Sequence, residues 1–148
     1  MYCFPLSESE ERRIASFDPG LICPEEQNSL AFLECMTHLF PDMRGKIPGV
    51  FPSGEGHKRL PVTSDGYCVY LGLNGCVLPR EIRPWYCLIF PFWVRNRRII
   101  VQQSPACLAC KELSGLPAFL AAFGVTREYV RHNYLQLRKA WGLGTGGL

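Results

Sequence analysis

No apolar run in this 148-residue chain is long enough to cross a membrane: the longest, Tyr86 to Val94, covers about half of the roughly 20 residues a spanning helix needs, and Pro91 interrupts it. No secretory leader is expected either. Met1-Tyr2-Cys3-Phe4-Pro5-Leu6 runs straight into Ser7-Glu8-Ser9-Glu10-Glu11, with neither a basic start nor a long apolar stretch, so a cytoplasmic protein is expected. The glycines follow no period and 47% of the residues are apolar, which excludes collagen-like and disordered chains. A net charge of +3 is too mild to argue for a nucleic-acid partner. G-x-S-x-G, P-loop, H-E-x-x-H and dinucleotide-binding patterns are all absent, so the usual hydrolase, nucleotide and zinc-protease readings lack support. With no repeat and no second domain visible, residues 1–141 read as one domain and 142–148 as a flexible glycine-rich tail.

What the chain does have is cysteine, eight in all. A domain of this length typically buries roughly 68–70% of its unfolded surface, so disulfides or metal are not required merely because it is small. In a reducing compartment such a surplus points to metal ligands or redox thiols rather than structural disulfides.

Local signals place the cysteines in an α+β fold: a small antiparallel sheet of hairpins, with N- and C-terminal helices, around a Cys-ligated metal site. Ser7 and Glu10 form an S-x-x-E capping box for a first helix that Asp18-Pro19-Gly20 ends. A second helix is expected from Pro24-Glu25-Glu26 to just before Pro41, with Leu30 and Leu33 on its apolar stripe and Ala31, Cys35 and Leu39 flanking. Residues 45–61 hold four glycines and three prolines and read as a long loop, functional or mobile. Asn74-Gly75 signals a hairpin turn between strands carrying Cys68 and Cys76, and Arg95-Asn96-Arg97 a second turn between Phe92–Val94 and Arg98–Val101. Between them, Pro84 and Pro91 limit any regular structure to a turn or two. A short helix near Pro117–Phe123 precedes a longer one capped by Thr126, whose Val130, Tyr134, Leu137 and Trp141 make a stripe for packing on the sheet.

Cys68, Cys76, Cys87, Cys107 and Cys110 fall within 43 residues, and five exposed thiols there would be an oxidation liability unless they bind something. A tetrahedral zinc or an iron–sulfur cluster takes four sulfurs, and the C-x-x-C at 107 and 110 suits a metal or a redox dithiol. Across a turn at 74 and 75, Cys76 pairs nearest Leu73, so Cys68 reaches it only if its strand bends. The spacing matches no zinc-finger or ferredoxin pattern and names no metal. Cys23 and Cys35 read as small buried hydrophobes, and Cys3 as either a sixth ligand or a buried residue.

Cys68-Val-Tyr-Leu, Cys76-Val-Leu and then Arg83-Pro84-x-x-Cys87-x-x-Phe90-Pro91-Phe92 resemble the signature of the YkgJ-like cysteine-cluster family of zinc- or iron-chelating domains, with R-P-x-x-C-x-x-F-P as the specific element. The resemblance runs from about Leu6 to Cys110, and it implies Cys68, Cys76 and Cys87 as ligands, with Cys107 as the fourth and Cys110 as its competitor. Two features depart from the family pattern: its N-terminal C-x-x-C-C cluster is missing apart from Cys3, and Leu88 stands where arginine often follows the third cysteine. Arg83 then either sits behind the sulfurs as a compensating charge or binds backbone carbonyls, while Pro84 fixes the turn that aims Cys87. Phe90, Pro91, Phe92 and Trp93 either wall the site or form plain core.

His57, in the 45–61 loop beside Lys58-Arg59, is expected to be exposed and free to titrate, and His38 to sit at the negative end of the second helix. Arg95, Arg97 and Arg98, with Arg127, Arg131, Arg138 and Lys139, are read as solvated faces rather than an RNA or acidic-partner surface. The function expected is therefore a cytosolic zinc- or iron-binding cysteine-cluster protein. Its alternatives are a thiol–disulfide oxidoreductase using Cys107 and Cys110, and an interaction module for an unknown protein partner with a purely structural metal.

Overall fold

A computed structural model of the chain describes residues 4–103 and 107–145. Seven α-helices and three two-stranded antiparallel sheets among the described residues make it an α+β protein, and the chain divides into two compact units. The first holds the described residues up to Pro84 together with Ala140–Leu143; the second holds Trp85–Lys139 with the residues from Gly144 on.

In the first unit, helix α1 (Glu8–Phe17) begins with the expected capping box: Ser7 Oγ accepts from Glu10 N at 3.3 Å, and the Glu10 carboxylate accepts from Ser7 N at 2.9 Å. The next element is not the expected helix. Glu25–Gln27 forms strand β1, paired antiparallel with β2 (Gly56–Lys58) in the register Glu25↔Lys58, Glu26↔His57, Gln27↔Gly56. Pro24 and two acids suit a helical first turn, but the backbone here bonds across to residues 55–59, with Asn28 N donating to Glu55 O at 2.9 Å and Arg59 N to Pro24 O at 3.1 Å. Helix α2 therefore starts later, at Leu30–Leu39, where Ser29 Oγ caps Phe32 N at 3.2 Å. That start also turns the helix: Leu30, assigned to the apolar stripe, is 74% exposed, and Met36 is the residue buried.

The segment 45–61 is likewise structured. It contains helix α3 (Ile47–Val50), with Pro48 in the first turn and Ile47 fully buried, and then β2. The first hairpin pairs β3 (Leu71–Gly72) with β4 (Gly75–Cys76), so its turn is Leu73-Asn74, one residue earlier than Asn74-Gly75. Cys76 therefore faces Leu71 rather than Leu73. The bend expected at Cys68 is present: Leu71 N donates to Cys68 O at 2.9 Å.

In the second unit, helix α4 (Trp85–Ile89) is the single short turn that its flanking prolines allow. Strands β5 (Phe92–Arg95) and β6 (Arg98–Val101) form the second hairpin around Asn96-Arg97, both at positive φ (49° and 63°), as a two-residue turn of the primed type needs. Phe92, Trp93 and Val94 are buried and Phe90 is exposed. Trp93 packs edge-on against Tyr134 and Phe92 against Phe123, the plain-core alternative for these aromatics. Helices α5 (Leu108–Glu112), α6 (Leu116–Phe123) and α7 (Arg127–Ala140) complete the unit. Thr126 Oγ1 accepts from Tyr129 N at 3.1 Å, and the stripe Val130, Tyr134, Leu137, Trp141 is buried as expected.

Two residues depart from the expected solvated surface. Arg138 is fully buried, its Nε donating to Gly144 O at 2.9 Å and its guanidinium 5.9 Å from the Tyr134 ring centroid. Leu143, in the stretch expected to fray, is fully buried too, because an apolar side chain just past the helix gains more from burial than the glycines around it lose in freedom.

Candidate functional site

Three thiols of the first unit meet one apolar cluster. Leu6, Ile14, Tyr70 and Leu78 are its buried members, and Cys23, Cys68 and Cys76 pack against it. The backbone explains the meeting. Leu6 N donates to Lys58 O (2.7 Å) and Arg59 N to Pro24 O, which brings Cys23 beside residues 58–60; the chain continues to Val62, which faces Cys68 in an antiparallel bridge. After the Cys68 turn, Val77 N donates to Tyr70 O (2.9 Å), which carries Cys76 back to the same place. The hydroxyl of Tyr70, one of the buried members, donates to Asp18 Oδ2 at 2.8 Å. Burial, that bond and the neighbouring Cys23 and Cys68 push its phenol well up from the usual range.

Cys23 keeps its proton more firmly than an exposed cysteine. Burial raises its pKa first and the Glu11 carboxylate second, while Lys58 opposes them. Lys58 is held there by Glu11, at 2.8 and 2.7 Å to the two carboxylate oxygens. Arg83 takes the carbonyl-binding alternative: its Nε donates to Leu78 O (2.9 Å) and its Nη2 to Cys76 O (3.1 Å), so it secures the strand that carries Cys76. Arg13 in turn donates to the carbonyls of Ile82 (3.3 Å) and Arg83 (2.8 Å). Pro84 is buried.

The remaining sulfurs sit elsewhere in the chain. Cys87 is exposed on α4; Cys107 is the N-cap of α5, and Cys110, within α5, has its thiol 3.7 Å from Gln102 O. Cys3 lies outside the described residues. Among the described residues no disulfide forms, and no three His, Cys, Asp or Glu side chains assemble as a ready ligand group. The donor chemistry of Cys23, Cys68 and Cys76, soft thiols in apolar surroundings, fits zinc or iron; a closed four-sulfur shell is not formed among the described residues.

A second constellation lies in the same unit and overturns the reading of His57. Only 8% of this residue is exposed. Pairing of β1 with β2 sets it beside Asn28, whose Nδ2 donates to Pro52 O at 2.9 Å. That bond turns the Asn28 carbonyl oxygen toward the ring, 2.8 Å from His57 Nδ1, so the proton belongs on Nδ1 and Nε2 is the bare acceptor. Burial, reinforced by Arg59 and opposed by Glu26, lowers the imidazole pKa and keeps the ring neutral. The ring stacks on Phe32, centroids 4.0 Å apart, and Phe32 meets Phe51 edge-on. His57 Nε2 is buried with no hydrogen-bond partner among the described residues. The residue lines a cavity of about 370 Å³, together with Phe4, Phe32, Cys35, Met36 and Val62 and the polar Glu26, Ser29 and Arg59. Cys35 is thus a wall of this cavity, its thiol pKa raised by burial.

Comparison of the chain with protein-family models, with curated proteins and with solved structures gave no match.

Sequence reasoning missed that Cys23 packs against the same apolar cluster as Cys68 and Cys76, and that His57 is buried. Both follow from strand β1, whose three residues are all exposed and polar and so carry no alternation to read. The one usable signal was Asn28-Ser29, a cap pair better placed to start a helix than Pro24.

Proposed function

We propose that this chain is a cytoplasmic cysteine-cluster protein that binds zinc or iron, an iron–sulfur cluster included, through thiolates, in keeping with its resemblance to the YkgJ-like family. The observation that supports this reading is the gathering of Cys68 and Cys76, with Cys23, on the Leu6–Ile14–Tyr70–Leu78 cluster. Cys87, Cys107, Cys110 and Cys3 are the further sulfur donors of the proposal, and Arg83 contributes by fixing the Cys76 backbone. The metal would supply structural cross-linking or electron transfer. Because a full set of sulfurs is not assembled among the described residues, metal uptake is coupled to ordering of the thiols, and binding free energy adds to fold stability.

The test is anaerobic purification followed by metal analysis and a visible spectrum. One equivalent of zinc in a colourless protein, or iron with the brown absorption of a cluster, supports the proposal, and Cys68→Ser or Cys76→Ser then removes the metal while Cys35→Ser retains it. A protein that is metal-free as purified, stays so after reconstitution and cycles a Cys107–Cys110 dithiol overturns it. That outcome favours the second reading, a thiol–disulfide exchanger, which draws on Cys107 as the N-cap of α5 with Cys110 within the following turn.

A further inference from the structure

We propose that the tip of the second hairpin, Arg95-Asn96-Arg97-Arg98, is a contact site for duplex DNA, its three guanidinium groups pairing with backbone phosphates. The division of charge between the two units is the first ground. The second unit carries eight Lys and Arg against two acids, Glu112 and Glu128, whereas the first carries eight against eleven. The whole-chain +3 therefore averages a net +6 with a net −3, and understates what the second unit offers a polyanion. The ion pairs Arg12–Glu8, Lys58–Glu11 and Arg59–Glu26 belong to the first unit. Most other charges of the second unit have company: Lys111 precedes Glu112, Glu128 adjoins Arg127 and lies one turn before Arg131, and Arg138 is buried on Gly144 O. At the tip no such partner exists. Arg95, Arg97 and Arg98 are exposed, their side chains make no ion pair or hydrogen bond among the described residues, and no acid occurs in the sequence between Glu81 and Glu112.

The second ground is that the tip is built against its own stability. Arg95 and Arg98 are register partners, so like charges sit directly opposite on one face of the ribbon. Arg97 holds φ at 63°, where a side chain is strained and glycine is the usual choice; an Asn-Gly turn would serve the hairpin without that cost. Strain that the fold does not need collects at functional positions. The occupant follows from chemistry and shape. The tip has three arginines and no lysine, and a planar guanidinium pairs with phosphate oxygens through two parallel N–H bonds. Phe92, Trp93 and Val94 are buried, which anchors the ribbon and leaves the four tip residues exposed. A two-stranded antiparallel ribbon fits the roughly 12 Å major groove of B-form DNA, whereas the major groove of A-form RNA is too narrow. Neither ground involves the thiols, so the proposal stands apart from metal binding.

The experiment titrates the full chain into a labelled duplex of about 20 base pairs and follows fluorescence anisotropy at salt concentrations from about 50 to 200 mM. Three neutralised phosphates give a slope of about −2.7 in log affinity against log salt, so affinity should fall about fortyfold over that range. Arg97→Gly is the decisive variant, because glycine relieves the positive φ. It should leave the melting temperature unchanged or raised, yet weaken duplex binding about tenfold at the lowest salt and flatten the slope by about one. Arg95→Gln combined with Arg98→Gln removes the like-charge pair and should weaken binding further. No rise in anisotropy at the lowest salt, a slope shallower than about −1, or an affinity that Arg97→Gly leaves unchanged would each overturn the proposal. So would binding to the separated single strand as tight as to the duplex. Competition by polyglutamate as effective as by unlabelled duplex of equal charge would overturn it in favour of an acidic protein partner.

Discussion

The thiols around Tyr70 and the imidazole of His57 are built from the same stretch of chain, residues 56–62, yet they are held in opposite ways. His57 is held by directional contacts: Asn28 bonds both the ring and Pro52 O, and Phe32 stacks on the ring face. The cysteines share an apolar neighbour, to which turns and isolated bridges bring them. Hydrogen bonds are directional and constrain orientation to within some tens of degrees, whereas apolar contact defines only proximity. The histidine is accordingly preorganised for one geometry, and the sulfurs are gathered but adjustable, which suits donors whose final positions a metal would dictate.

Four measurements test this contrast. The largest effect is expected from Ile14→Ala, which empties the centre of the cluster under the thiols: a loss of about 2–5 kcal/mol in urea unfolding, with the His57 resonance unmoved. A shifted histidine signal would show that the two regions are one cooperative structure. Next, Asn28→Ala strips the Nδ1–H of its acceptor and should cost about 1–3 kcal/mol, whereas it should leave metal content unaffected. Asn28→Asp keeps that acceptor but sets a buried carboxylate oxygen against Pro52 O, so it should not recover the loss.

The third is a pH series. The imidazole is held below its ordinary 6.5 by burial, with Arg59 adding and Glu26 opposing, so the folded chain binds fewer protons than the unfolded one in the window beneath 6.5. Stability from this group is complete above that value and is lost as the pH falls, by at most about 1.4 kcal/mol per pH unit for one proton. Unfolding curves at pH 5, 6 and 7 should show this decline in the native chain and a flatter profile in His57→Phe; identical slopes would mean that burial does not bias the ring. The smallest effect is Glu11→Gln. Removing that carboxylate lowers the Cys23 pKa, so alkylation of Cys23 should quicken at pH 8 with the melting curve scarcely moved. An unchanged rate would place Glu11 too far away to matter.

Features with a local cause were legible in the sequence. Ser7 and Glu10 announce α1 because a capping box spans four residues, and Asn96 announces its hairpin because few residues other than glycine tolerate positive φ. The stripe on α7 was visible for the same reason, since its period repeats over fourteen residues. What escaped depends on partners about thirty residues away. Glu25–Gln27 is a strand only because Gly56–Lys58 pairs with it, and that one pairing buries His57 and brings Cys23 to the apolar cluster that Cys68 also meets. Arg138 looked like surface because charge normally is, and the carbonyl that receives it belongs to a glycine beyond the helix end. Within the site, the spacing of Cys68 and Cys76 pointed to a shared location but misplaced the turn by one residue, since Leu73 and Asn74 rather than Asn74 and Gly75 connect the strands.

The two arginines at the end of the first unit act in series: Arg13 of α1 grips the carbonyls of residues 82 and 83, and Arg83 grips those of 76 and 78. A displacement of the opening helix is thereby relayed to Cys76 through two guanidinium links across more than sixty residues of sequence. The N-terminal helix thus has a polar linkage to the strand of Cys76 besides the apolar cluster that Ile14 shares with it.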